Sequence, residues 1–223
     1  MGYPSIKRIW DLSQPTYHNC PGYPGNPLVK VELLRFITRD TCNMELLTTT
    51  THSGTHVDAP LHLLEDGKSI TSYDVEDFVG PCDVLDLTGK GRGEEISLDD
   101  IKKRLPRIEP GNIILLATGW GEKRAFTKEW VHDSPWLGES AAEYLAKSGI
   151  KGIGVDHFSI GTTDPALDLP CHLTLLRAGI WIAEDLFIPR EVVGKSSLFY
   201  VGVPLRLIGA SGAPVRPILL EFD

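Results

Sequence analysis

Three histidines and one aspartate crowd a single short stretch, His52-Ser-Gly-Thr-His56-Val-Asp58-Ala-Pro60-Leu-His62. With seven histidines in 223 residues, an eleven-residue window should hold about 0.35 by chance. Imidazole and carboxylate are the ligands that zinc, manganese and iron take when no thiolate is offered. The spacing restricts how the four side chains can meet. Gly54 and Thr55 are poor interior helix residues and Pro60 stops a helix, so the segment reads as extended. Even-numbered residues of an extended chain share a face, and 52, 56, 58 and 62 are all even. A straight strand would still hold the α-carbons of His52 and His56 about 13 Å apart, at the limit of what one ion bridges. The chain must therefore bend, and Gly54 is the residue that permits it. A lone histidine is usually a hydrogen-bonding surface residue, but three on one parity with an aspartate favour a metal site.

The elements that must position this cluster are mostly strands. Strands are expected at 6–13, 29–37, 44–51, 79–87, 113–118, 153–156, 180–183 and 198–203, from alternation and β-branched content. Residues 21–27, Pro-Gly-Tyr-Pro-Gly-Asn-Pro, form a loop, since their prolines and glycines exclude helix and central strand. Three helices are expected. One opens at Ser97 with acids in its first turn and runs to about Leu105. A second covers Glu139 to Ser148, with Ala142, Leu145 and Ala146 on one stripe, and stops at Gly149. A third starts after Pro170, carries His172 to Arg177 and stops at Gly179. With no repeat, linker or composition shift, the chain reads as a single β-rich α/β domain over residues 1–223.

Composition narrows the function classes. The 22 basic against 30 acidic residues give a net charge of −8, which argues against nucleic acid or an anionic membrane as partner. Apolar runs stop near five residues, at Ile113 to Ala117, far short of the ~20 a spanning helix needs. The start, Met1 to Lys7, leads into no apolar signal segment, so a cytoplasmic location is expected. Cys20, Cys42, Cys82 and Cys171 show no paired spacing and read as reduced core residues. Trp10, Trp120, Trp136 and Trp181 likewise read as core, and Glu65 and Asp66 as a solvated turn before Gly67. Gly161-Thr162-Thr163-Asp164 is only a loose phosphate cradle, with no Gly-Lys-Ser/Thr after it. No Gly-x-Ser-x-Gly elbow occurs, which removes the usual serine hydrolase.

The string from His52 to His62 closely resembles the signature of the cyclase-like metal-dependent hydrolases, a family that includes bacterial kynurenine formamidases and isatin hydrolases. Asp11-Leu12-Ser13, Tyr23-Pro24-Gly25-Asn26-Pro27, Ala117-Thr118-Gly119-Trp120 and the segment from Gly152 to Leu186 are similar to further family landmarks, in family order. The resemblance implies a swivelling β/β/α fold that assembles as homodimers or homotetramers. It implies that His52, His56 and Asp58 hold a first divalent metal, and that Asp58 can bridge to a second held by His172 and Glu184. Zinc is the first choice and manganese the second, with one or two ions per subunit. His62 falls where the family carries its proton donor and acceptor, and Tyr23 where formamidases carry a substrate-contacting tryptophan. Formamidases have Asp-Thr-Pro-Ser where this chain has Asp156-His157-Phe158-Ser159, and His157 is expected to be a loop residue without catalytic weight.

The implied activity is hydrolysis of a C–N bond in an amide, formamide or lactam, with a small aromatic amide as substrate and N-formylkynurenine as first candidate. Two other classes fit the same ligand types. One is an oxygenase using two histidines and a carboxylate, which oxygen consumption with Fe(II) would reveal. The other is a metal-binding protein without turnover, against which the proton-shuttling position of His62 argues.

Overall fold

The run Ile113–Ala117 is buried at every residue, the pattern of a strand with a packed layer on each face. The structure, a computed structural model, describes residues 4–223; Met1–Tyr3, part of the start read for a leader, lie outside the described residues. The first half of the chain forms β1 (Ile6–Asp11), β2 (Lys30–Arg35), α1 (Ile37–Asp40), β3 (Met44–Thr48), β4 (His56–Asp58), β5 (Val79–Asp86), β6 (Glu95–Ile96), α2 (Leu98–Arg104) and β7 (Ile113–Ala117). The second half forms α3 (Lys128–His132), β8 (Trp136–Leu137), α4 (Glu139–Lys147), β9 (Gly152–Val155), α5 (Pro165–Arg177), β10 (Trp181–Glu184), β11 (Leu198–Val201), β12 (Gly212–Pro214) and β13 (Ile218–Phe222).

Among the described residues nine strands make one sheet in the order β1-β13-β11-β5-β7-β9-β10-β4-β12. β5, β7, β9 and β10 are parallel, joined through α2, α4 and α5, and antiparallel strands flank them. Alternation along each strand divides the interior into two cores. Ile113, Leu115, Trp181 and Ala183 point into one, with Trp10, Val57 and Tyr200. Ile114, Leu116 and Ile182 point into the other, where Ile101 of α2, Leu145 of α4 and Leu175 of α5 cover them. The mixed, strand-rich α/β class expected from the sequence is the observed one.

Helix caps follow the sequence signals. Ser97 and Asp100 cap the start of α2 reciprocally, the Ser97 hydroxyl accepting from Asp100 N at 3.2 Å. α4 buries Ala141, Ala142 and Leu145 and gives way to Gly149 in the left-handed region. α5 departs from expectation. It begins at Pro165, not after Pro170: the Asp164 carboxylate accepts from Ala166 N at 3.0 Å, and Pro165 occupies the first turn. Pro170 lies inside this helix and costs it one hydrogen bond, which tertiary packing of Cys171, His172, Leu175 and Leu176 offsets. The strands β6, β8, β12 and β13 and the short helices α1 and α3 were not foreseen, and β4 was read only as part of an extended stretch. β12 pairs with β4 and β13 with β1, both far along the chain, and β13 pairs also with the nearer β11.

Cys20, Cys82 and Cys171 are buried free thiols as expected, but Cys42 is only half-buried, on the turn between α1 and β3. Trp10, Trp120 and Trp181 are core residues, whereas Trp136 is half-buried at the short β6–β8 pair, where it donates to Gly93 O. Glu65 and Asp66 form the exposed turn read from the sequence.

Candidate metal centre

The site grows from the alternation of one three-residue strand. Val57 of β4 enters the core beneath the sheet, so His56 and Asp58 face the opposite, helix-covered side. Pairing with β10 sets Glu184 opposite His56 and Ile182 opposite Asp58. Glu184 is the last residue of a parallel strand, on the face where α5 delivers His172. The cluster thus sits at the carboxyl end of the parallel strands, where open α/β sheets leave a crevice. Gly54 takes φ +67, so the chain does bend between His52 and His56. Only His56–Asp58 is strand, however. His52 lies on the turn before the bend and His62 on a 3-10 turn, Pro60–His62, so the single extended face expected from parity is not what unites the four residues.

Each imidazole is oriented by a hydrogen bond from one ring nitrogen. His56 Nδ1 donates to Gly54 O at 2.8 Å and His172 Nδ1 to Asp168 O at 3.0 Å, leaving each Nε2 turned toward the cluster. His52 pairs with Asp58 Oδ1 through Nδ1 at 2.6 Å and with Ser211 Oγ through Nε2 at 2.9 Å. A side chain at Gly212 would collide with the His52 ring, its Cβ 2.6 Å from Cε1, so glycine there lets β12 pass close. Glu184 Oε1 accepts from Ile160 N at 2.7 Å and stands 3.1 Å from His172 Nε2. His56 Nε2 lies 3.1 Å from Asp58 Oδ1 and 3.6 Å from Glu184 Oε2. Among the described residues, buried His56 Nε2 and Asp58 Oδ2 have no hydrogen-bond partner. Donor atoms of His52, His56 and Asp58 lie within 4.8 Å of one another, as do those of Asp58, His172 and Glu184. Two overlapping sets sharing Asp58, with orphaned buried donors, fit a divalent ion or ion pair.

The electrostatics point the same way. Burial lowers the His56 pKa, but the Asp58 carboxylate outweighs it and raises the value to about 9. Burial opposes the ionised form of Asp58, yet His56 and His52 hold its pKa well below the ordinary range, while burial and Asp58 raise that of Glu184. Protons thus occupy the cluster where a cation would otherwise compensate the carboxylates. A pKa raised on folding stabilises below the unfolded value of 6.5, and that stability is lost as pH rises through about 9. Metal-free protein is therefore expected to melt at lower temperature at pH 9 than at pH 6.5. Metal-loaded protein should lose this dependence, because ligation needs the deprotonated imidazoles. Thermal melts with and without chelator check both.

His62 stands at the mouth, exposed on one side and stacked on His52 with centroids 4.0 Å apart; His172 is 6.5 Å away across the cleft. Desolvation of its buried side pushes its pKa down to about 4, with Asp58 opposing and the neighbouring imidazoles adding to the fall, so the ring is a neutral proton acceptor near pH 7. Tyr23 lines the same cleft, a cavity of about 250 Å³, edge-on to Phe158 at 5.4 Å. All seven residues singled out from the sequence therefore line one cleft: His52, His56, Asp58, His62, His172, Glu184 and Tyr23. The sequence reading missed Phe158, Asp168 and Leu169 on its wall. The Asp-His-Phe-Ser departure flagged the segment that carries Phe158, but spacing alone carried no signal for Asp168. His157 is fully buried off the cleft, its ring against Phe158 at 3.9 Å and Nε2 donating to Trp130 O at 2.8 Å. A larger cleft of about 580 Å³ over Asp86, Trp120 and Arg190 contains no histidine, and Arg190 is paired with Glu122 there.

Behind the cluster, Arg124 ties the Tyr23 loop to the Glu184 strand. Its Nε donates to Asp185 Oδ2 at 3.0 Å, Nη1 to Pro15 O at 3.0 Å and Nη2 to Pro21 O at 2.9 Å, with both charges buried. Asp185 holds φ +53, a left-handed conformation that this clamp secures. Arg124→Met strands a buried carboxylate and is expected to cost ~3–5 kcal/mol, read as a lowered urea midpoint.

Residues 10–162 match the family described as Putative cyclase. The chain belongs to the cyclase family. It is 31% identical over 216 residues to a kynurenine formamidase of Delftia acidovorans, covering 96% of this chain and 97% of that one. A kynurenine formamidase of Bacillus cereus is 30% identical over 215 residues, with 94% and 95% covered. Among solved structures, a potential metal-dependent hydrolase with cyclase activity superposes with TM-score 0.80 at 31% identity, covering 97% of this chain and 98% of that one. An isatin hydrolase bound to the product analogue thioisatinate superposes with TM-score 0.88, covering 96% and 92%; at 20% identity it shows the cyclase-family fold alone.

Proposed function

We propose that this cyclase-family chain is a metal-dependent amide hydrolase, with aryl formamides as its first substrates and cyclic aryl amides as the second choice. The convergence of orphaned His56 Nε2 and Asp58 Oδ2 with His52, His172 and Glu184 carries the reading. His52, His56 and Asp58 would hold one ion, and Asp58, His172 and Glu184 a second. When bound, a divalent ion supplies Lewis acidity and brings the pKa of water toward about 7. Zinc suits the imidazole-rich first set, and manganese the more carboxylate-rich second. Gly54 O and Asp168 O fix which nitrogen of His56 and of His172 is free to ligate, and Ile160 N steadies Glu184.

His62 takes the proton of the attacking water at one ring nitrogen and returns it to the leaving nitrogen. Its neutral state near pH 7 and its stacking on His52 suit it to that transfer. Tyr23 and Phe158 hold the aryl ring and exclude water from one side of the cleft. N-formylkynurenine heads the panel because relatives of about the same length carry that formamidase activity in their names.

Elemental analysis and a panel of N-formylkynurenine, isatin and simple lactams, before and after chelation, test the proposal. Turnover should vanish with the metal and return on adding zinc or manganese; full activity in metal-free protein would overturn it. Homo-oligomerisation belongs to the same proposal. Every residue of β3 is exposed, including Met44, Leu46 and Leu47, on a two-stranded ribbon of the kind that is marginal unless packed. Light scattering should return at least a dimer, whereas a monomer at micromolar concentration would refute this part.

A further inference from the structure

Asp168 is the charged wall residue of the cleft that neither candidate metal set uses. It lies on α5 one turn before His172, with Oδ1 3.5 Å from His172 Nδ1. The Ser159 hydroxyl donates to the same Oδ1 at 2.6 Å, and Gly161 N donates to Ser159 Oγ at 3.0 Å. Any side chain at Gly161 would strike the carboxylate, its Cβ only 2.3 Å from Oδ1, so the loop closes on Asp168 because a glycine stands there. One oxygen is thus fixed by the protein, while Oδ2 makes no hydrogen bond among the described residues and belongs to a group facing the cleft. The apolar part of the same lining comes from Leu63, Phe158 and Leu169, with Tyr23 edge-on to Phe158.

A fixed anion in a largely apolar wall discriminates by charge. It accepts a hydrogen from an N–H or ammonium and repels a carboxylate, more strongly the less water separates them. No lysine or arginine lines this cleft among the described residues, so only the imidazoles of the cluster and any ion they hold work against that repulsion. We propose that Asp168 is a specificity-determining residue that admits neutral or ammonium-bearing aryl amides and rejects those carrying a carboxylate on the ring. This rests on the amide-hydrolase reading for its substrates, but the binding arm of its test does not depend on turnover.

Three formanilides that differ only at the meta position, bearing methyl, aminomethyl or carboxylate, form the probe set. With metal-loaded protein, kcat/KM for the carboxylate should fall at least tenfold below that for methyl, with aminomethyl equal to methyl or better. Added salt should narrow the gap. In Asp168→Asn, which keeps the Ser159 contact, the gap should close by fivefold or more. Equilibrium binding of the same three compounds to metal-free wild type and metal-free Asp168→Asn should give the same order and the same narrowing, the variant separating Asp168 from the imidazoles of the cluster and from metal coordination. A carboxylate that is bound or cleaved as well as methyl by the wild type, or a gap unchanged in Asp168→Asn, would overturn the role of Asp168. If none is hydrolysed while binding keeps the order, the amide-hydrolase reading falls and the charge filter stands.

Discussion

Asp58→Ala is expected to leave the protein without bound metal and without turnover. Asp58 is 1% exposed, belongs to both potential ligand sets, and is the carboxylate against which His52 and His56 are held. Its removal strips charge from both positions at once. Losing a partner that only supports a ligand costs about 10–100-fold in metal affinity, and losing a shared ligand should exceed that. Competition with a chromogenic chelator reads the affinity, and elemental analysis the occupancy. Asp58→Asn keeps the shape without the charge and serves as the folding control. Near-stoichiometric metal with native turnover in Asp58→Asn would sink the assignment.

His62→Ala should keep the metal and lose most of the rate. The ring belongs to neither ligand set, yet it stacks on His52 at the mouth of the cleft. Removing a positioned general acid–base group costs typically about 10²–10⁴-fold, and the loss should fall on kcat rather than KM, since the role proposed for His62 is proton transfer rather than holding the ring. The exposed side of His62 makes a collapse of the fold an unconvincing explanation of lost rate, and circular dichroism of the variant checks that directly. Native turnover in metal-replete His62→Ala would remove the role.

The two variants separate what Asp58 and His62 do because the chain separates them. Asp58 lies in a strand pinned between β10 and β12, while His62 lies on a 3-10 turn begun by Pro60. This distinction was only half legible in the linear string. The density of histidine, the bend demanded at Gly54 and the β-branched strands could be read because each depends on neighbours within a few residues. Parity could not place His62, since Pro60 interrupts the extended chain before it. The start of α5 was misjudged for a similar reason. Two Pro-containing sites competed, and Asp164-Pro165 prevailed because the Asp164 carboxylate caps the helix there. The strands β4 and β12 owe their existence to partners more than a hundred residues away, which no local pattern encodes.

By itself the sequence determined that this chain gathers imidazoles and an acid within eleven residues, bends at a glycine between them, and has the strand-rich pattern of an α/β fold. Those features follow from side-chain chemistry and local backbone freedom, which travel with the residues. Only the tertiary structure decided that His172 and Glu184 arrive beside Asp58, and that Phe158 and Asp168 line the same cleft. Strand register and helix docking set those meetings, through hydrogen bonds and buried contacts between segments that the order of residues leaves far apart.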